Sequence, residues 1–224
     1  MIHQLRQSPD VELVGLLTTF NEKVDRVTMH GVSRALVQAQ AEQLQLPLWP
    51  VPVPFPCNNE QFQDLFLDML TEAAQQGITH LAFGDIFLAD VRQYRCELLE
   101  DSGIEPLFPL WCGGQGRMTG QLAGEMQSSG LAAIVTCVDP RQLSPDFLGR
   151  CYDADFLRDL PEEVDPCGER GEFHTFCYAG PIFPEAVPIR AGKRVIRDGF
   201  HFLDLYLDGK CGGVDHVLKI DSND

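Results

Sequence analysis

Short apolar runs alternate with amphipathic helical stretches along the first part of this chain, and that alternation restricts its fold more than any other feature. VELVGLLTT, residues 11–19, is a mostly apolar run of strand length, as expected for a strand covered on both faces. GVSRALVQAQAEQLQL, residues 31–46, then carries Val32, Ala35, Leu36 and Ala39 at helical spacing. Pro47 ends that helix because proline brings no N–H to the hydrogen-bond ladder. PLWPVPVP reads as an extended, proline-constrained segment. Asn58 or Asn59 caps the next helix, whose Phe62, Leu65, Phe66, Met69, Leu70 and Ala73 form one stripe, with Gly77 at its C-terminal turn. THLAFGD (79–85) and IEPLFPLW (104–111) read as strands around a helix in DVRQYRCELLEDSG. A helix within 119–130 and a strand LAAIVTCVD (131–139) follow. This β-α-β-α order predicts an α/β fold with a largely parallel sheet and helices on both sides.

Past Asp139 the pattern changes. SPDFLGR and DADFLRDLP are short helical pieces, and EFHTFCYAG, a hairpin in VPIRAGKRVIRDG, and FHFLDLYLDG are strand-rich. A chain of 224 residues accommodates two domains, and the change in texture places them at 1–103 and 104–224. KIDSND reads as a frayed tail. MIHQLRQ reads as the last turns of a helix linked by SPD to the first strand, an unusual opening for an α/β chain.

The formal net charge of −16 argues against a nucleic-acid backbone as partner, since a binder needs a basic face. No stretch has the roughly 20 apolar residues that cross a bilayer, and the N-terminus has no apolar run of signal length. A soluble, cytoplasmic protein is the expectation. The eight cysteines include no C-x-x-C pair, which fits reduced thiols better than a disulfide scaffold.

Several stretches carry candidate chemistry. GGQGR, residues 113–117, lies between a strand and a helix, where glycine amides with Arg117 form either an anion cradle or a plain turn. DPCGERGEFHT, residues 165–175, has three readings. As a zinc site, Cys151, Cys167, His174 and Cys177 are of the right types, but Cys167-x6-His174-x2-Cys177 lacks a paired-cysteine knuckle, and no metal is expected. As structure, Gly168 and Gly171 permit a tight turn flanked by solvated acids. As a site, the loop aims Glu169, Glu172 and His174 across a cleft to hold a cationic substrate or ammonia and to move protons. Ligands collect at the C-terminal ends of parallel strands, where LLTT and FGDI place Leu17, Thr18, Gly84 and Asp85; loop capping by Thr18 and Asp85 is the plainer account. Arg92 and Arg95, on the following helix, either meet phosphate or carboxylate or lie on a solvated face.

The ordered set LLTTFNE, MHGV, FGDI, PLW, LGR and CGERGEFHT resembles the diphthine–ammonia ligase family of PP-loop ATP pyrophosphatases, in particular its bacterial members, over Met1 to about Gly209. The resemblance implies a Rossmann-like, HUP-type nucleotide domain followed by a smaller C-terminal α/β domain. It implies ATP with Mg2+, a small-molecule or protein-borne carboxylate as acceptor, and ammonia. By the same resemblance Leu17, Thr18, His30, Gly84 and Asp85 face the nucleotide. Arg92 and Arg95, read from their helix alone, and Gly168, Gly171 and Thr175, in the stretch similar to the family's acceptor-substrate site, are the substrate-binding candidates, and Glu169, Glu172 and His174 are the catalytic ones. The sequence departs from the family's pattern in having no S-G-G-K-D-S phosphate loop, so the resemblance implies a first strand and loop upstream of Met1. A non-catalytic nucleotide or small-molecule binding protein is the alternative from another class.

Overall fold

The computed structural model describes residues 1–28, 30–113 and 118–209. Most of GGQGR, Met29 of MHGV, Cys211 and the KIDSND tail lie outside them.

After a single helical turn, α1 (Ile2–Leu5), the chain enters β1 (Leu16–Asn21), which pairs in parallel with β3 (Leu48–Val53) from Leu16↔Leu48 to Asn21↔Val53. The strand begins five residues later than its apolar run suggests. Only Phe20 of β1 is fully buried, so the strand is not enclosed on both faces as expected. Beyond it the chain makes a turn not foreseen in the sequence, with Asp25 in the left-handed region, into β2 (Arg26–Val27), antiparallel to β1. Helix α2 (Arg34–Leu44) crosses back to β3 and ends at Gln45, itself left-handed, before Pro47. Val32 and Leu36 face inward as expected; Ala35 does not.

Helix α3 (Asn59–Gln75) has the predicted stripe, with Phe66, Leu70 and Ala73 buried. Its cap is Asn58: the Asn58 side-chain oxygen accepts from Gln61 N–H at 2.8 Å, and Gln61 Oε1 accepts from Asn58 N–H at 3.1 Å. Two orphan donors of the first turn are thereby satisfied. β4 (His80–Ala82) and β5 (Glu105–Leu107) pair in parallel around α4 (Ala89–Leu99). Both are shorter than the apolar runs that announce them.

The parallel pairs β1-β3 and β4-β5 lie in two small sheets, the first edged by the antiparallel β2 in the order β2-β1-β3, while β6 to β9 form an antiparallel sheet of order β7-β6-β9-β8. The expectation of one largely parallel sheet is thus met only in part: parallel pairing occurs in the first half, and there it is divided between two small sheets. α5 (Thr119–Ser128) leads to β6 (Ala132–Val138), and a 3-10 turn (Pro145–Phe147) and α6 (Ala154–Asp159) lead to β7 (Phe173–Ala179). β8 (Ile189–Arg197) is one strand rather than a hairpin. The reversal comes at Asp198–Gly199, both with positive φ, and β9 (Phe200–Leu207) returns beside it. Two residues at positive φ match the twist of a tight hairpin, and an Asp-Gly pair supplies them.

Among the described residues, two apolar clusters form the interior. One gathers Phe66, Leu70, Ala73, Leu98, Leu99 and Ile104 around α3 and α4. The other lies under the antiparallel sheet and includes Val135, Phe156, Phe173 and Leu205 together with Val32 and Leu36 from the start of α2. The second cluster therefore draws on residues far to the N-terminal side of position 104.

Candidate functional site

The C-terminal end of β4 runs into Gly84, Asp85, Ile86 and Phe87 before α4. Gly84 is exposed, with open space where a side chain would stand. Asp85 Oδ2 lies 3.7 Å from Arg95 Nε on α4. Both atoms are buried and neither has a hydrogen bond, an arrangement that leaves each polar atom short of a partner. Arg95 also stacks over Phe83, and Arg92 lies 4.7 Å from the Trp111 ring centre and 4.9 Å from that of Phe108. Arg92 is thus held against aromatic faces rather than on an open helix surface.

The acidic loop 165–172 is built from its own backbone. Glu172 is only 2% exposed, and its two carboxylate oxygens accept from Asp165 N–H at 2.9 Å and Arg170 N–H at 3.0 Å. Expected to point across a cleft, Glu172 instead closes the loop from inside. A buried carboxylate is tolerated because amide donors replace water. Asp165 repeats the device, its side chain accepting from Glu169 N–H at 2.9 Å. Gly168 has φ +68, and a Cβ there would stand 2.6 Å from the Phe173 carbonyl oxygen; Gly171 has φ +80 but open space around it.

Glu169 is the member that leaves the loop. Its Oε1 accepts from Ile86 N–H at 2.7 Å, 83 residues away in sequence, and Phe87 N–H also bonds the carboxylate. The acidic loop therefore sits on the turn that carries Asp85. Burial raises the Glu169 pKa, the two amides oppose that, and the charges of Asp85 and Asp165 add to it. From the other side Cys112 N–H donates to the Ile86 carbonyl at 2.9 Å, and Arg170 lies over the Phe87 ring.

His174, on β7, meets His30 from the loop before α2, their ring centres 4.2 Å apart. Burial, then the charge of His30, depresses the His174 pKa to about 4. His30 is exposed as a residue, yet loss of solvent around its ring lowers its pKa as well. Both imidazoles are neutral at pH 7 and can accept a proton. Thr136, buried beneath them, donates to the His174 carbonyl at 3.3 Å. Thr175 is half-buried opposite Val135.

Leu17 and Thr18 lie elsewhere. They line an apolar cavity of about 1200 Å³ with Trp49, Phe66, Leu81 and Phe83. Arg95 reaches its edge, but neither Asp85 nor the acidic loop contributes to its lining. The structure thus brings Asp85 to Glu169 and His30 to His174, and leaves Leu17 and Thr18 apart from both pairs.

The Cys167 thiol in the acidic loop is unsuited to nucleophilic attack. Burial, with Asp165 and Glu169 nearby, pushes Cys167 up to about 12, far from the thiolate form a nucleophile needs. No disulfide joins the described cysteines, and no three metal-ligating side chains cluster among the described residues. Sequence reasoning missed the tie between Glu169 and Ile86 and the contribution of Thr136, for which no local pattern exists. It also missed Asp165 as a loop-closing side chain, although an Asp-Pro opening is a turn signal.

Residues 119–206 match the family model described as the diphthamide synthase C-terminal domain. Across more of the chain, the sequence is 27% identical over 218 residues to a diphthine–ammonia ligase of Bos taurus, spanning 87% of this chain and 80% of that one. It is 26% identical over 218 residues to the Homo sapiens enzyme of the same name, with the same coverage, and 28% over 192 residues to that of Danio rerio, covering 79% and 73%. The C-terminal part of the chain, which holds the acidic loop, is thus similar to the diphthamide synthase C-terminal domain, and most of the chain is similar, at under 30% identity, to diphthine–ammonia ligases.

Proposed function

We propose that this chain is an ATP-dependent amide-forming ligase whose site lies where the acidic loop meets the turn after β4, and the observation that carries it is the Glu169–Ile86 hydrogen bond. That bond places a loop rich in carboxylates beside the C-terminal end of a parallel strand, the place where α/β sheets bind ligands. The parallel half is read as a HUP-type nucleotide domain. In the reaction, an oxygen of the acceptor carboxylate attacks the α-phosphorus of ATP, the bond to pyrophosphate breaks, and an acyl-adenylate forms. Ammonia then adds to the acyl carbon, AMP leaves, and a proton passes from nitrogen to a base. His174 and His30, both neutral near pH 7, are the bases for that proton.

Gly84 lets the nucleotide approach the backbone, and Asp85 and Arg95 face its polar groups. The oxygen of Asp85 that lacks a hydrogen bond suits Mg2+, which takes one or two protein carboxylates and completes its shell with phosphate and water. Bound there, Mg2+ would neutralise phosphate charge. Glu172 keeps the loop closed, and Gly168, Gly171 and Thr175 set its shape on the acceptor side. The acceptor is a carboxylate, free or carried on a protein.

The test measures ATP binding by calorimetry with Mg2+, and then AMP and pyrophosphate release with ammonium and a panel of carboxylates. Release of both products in equal amounts, dependent on acceptor and ammonium, supports the ligase. Asp85→Asn is expected to weaken ATP binding about tenfold, a single lost ionic contact. ATP binding with no turnover for any carboxylate would favour a nucleotide-binding protein, and absence of ATP binding would sink both readings.

A further inference from the structure

The loop carries two buried-side glutamates of different geometry. Glu172 is spent inside the loop, whereas Glu169 spends its carboxylate on amides of another segment. Those amides belong to Ile86 and Phe87, which immediately follow Asp85. The same turn is held from behind by Cys112 N–H and Sγ on the Ile86 carbonyl, at 2.9 and 3.1 Å, and its Phe87 ring is covered by Arg170. Every polar backbone contact described for Ile86 therefore comes from a segment distant in sequence, and only one of them is ionic.

We propose that Glu169 is a positioning residue, a latch whose carboxylate fixes the Gly84–Phe87 turn and so sets the place of Asp85, linking the state of the acidic loop to the nucleotide side of the site. The functional half of this statement rests on the ligase reading above; the latch itself does not. A rigid tie would be served by any acceptor, but the structure uses a charge that burial and the acidic neighbours Asp85 and Asp165 disfavour. The geometry explains its retention. One carboxylate can accept from two successive amides at once, whereas an amide side chain would meet Phe87 N–H with a second donor. Anything that binds the loop and draws Glu169 away frees the turn, and anything that orders the turn holds the loop, since coupling between two sites is reciprocal.

Amide exchange and pH titration of Ile86 and Phe87, followed by NMR in the 15N-labelled full chain, test the latch. In Glu169→Ala the Ile86 amide is expected to exchange about tenfold faster or more, the loss of one charge-assisted hydrogen bond, while Val135 and Phe176 in the antiparallel sheet keep their rates. Glu169→Gln restores part of the protection at Ile86 but not at Phe87. Of the pH response of the Ile86 amide shift in the natural chain, the part contributed by the Glu169 carboxyl is lost in both variants. The charged groups around it are Asp85, Asp165, Arg95 and Arg170, with the thiols of Cys112 and Cys167. Equal exchange and equal pH response in all three proteins would overturn the latch. Calorimetry with Mg2+ and ATP separates the functional half: affinity lowest in the Ala variant and intermediate in the Gln variant supports coupling, and equal affinity refutes it. A natural chain that binds no ATP refutes the coupling and the ligase reading, while the Ile86 exchange still decides the latch.

Discussion

At the residue scale the histidine pair gives the sharpest expectation. His174 in the folded chain has a pKa of about 4, against about 6.5 for an unperturbed histidine. A base whose pKa is depressed by folding binds its proton more readily when unfolded. Its contribution to stability is therefore complete above about pH 6.5 and is lost as pH falls toward 4. The loss amounts to roughly 3 kcal/mol at most, and His30, shifted in the same direction, adds to it. Glu169 works the other way, because a carboxyl with a raised pKa favours the folded state as it gains its proton. Comparing the natural chain with His174→Gln by urea unfolding between pH 7 and 4 isolates the histidine. The variant should lose less stability across that window; parallel curves would mean that the ring is not shielded as its contact with His30 implies.

At the scale of elements, the acidic loop separates two reasons for a glycine. Gly168 combines φ +68 with a carbonyl oxygen 2.6 Å from where a Cβ would be, whereas Gly171 has φ +80 and open space. Gly171→Ala should cost only its left-handed backbone, about 1 kcal/mol. Gly168→Ala must in addition move Phe173, at the start of β7, and should cost about 2–3 kcal/mol. Equal losses in denaturant unfolding would show that the loop yields instead of the strand. This loop was legible as a glycine-jointed acidic turn because φ and sequence are locally coupled. The role of each acid was not: Glu169 and Glu172 are alike by type, and what distinguishes them is which amide donors the fold delivers. Helices α2 and α3 were likewise legible from a stripe and a stop signal, and Asn58 resolved a choice between two adjacent asparagines. The strands were less so. β4 and β5 are shorter than their apolar runs, since such a run records burial and not pairing, and β2 has only two residues, too few to produce a pattern. The antiparallel arrangement of β6 to β9 depends on long-range pairing that alternation along one strand does not specify.

For the whole molecule, the division of the interior matters more than the division of the sequence. Leu36 is 1% exposed and packs, with Val32, into the cluster that contains Val135, Phe173 and Leu205. The segment from β2 to α2 thus serves two ends. It joins the first sheet through β1, and its inward face completes the core beneath the second. The ion pair of Arg26 with Asp204 on β9, at 3.1 Å, ties the same segment to the same sheet, as does the contact of His30 with His174. Removing Leu36 should therefore destabilise the antiparallel sheet rather than the helices around Phe66. Leu36→Ala leaves a cavity against β6 and β9, and a cost of about 2–5 kcal/mol is expected from lost burial and incomplete collapse. Native-state amide exchange resolves where that cost falls. Amides of Val135 and Leu205 should lose protection by the full amount, while those of Leu70 and Leu98, in the other cluster, should lose less. The converse substitution, Leu70→Ala, should reverse the order. If both substitutions lower protection equally in both clusters, the molecule unfolds as one unit, and the shared segment couples its two cores completely; if Leu36→Ala spares β6 and β9, the packing of α2 against the second sheet contributes nothing to holding the histidine pair together.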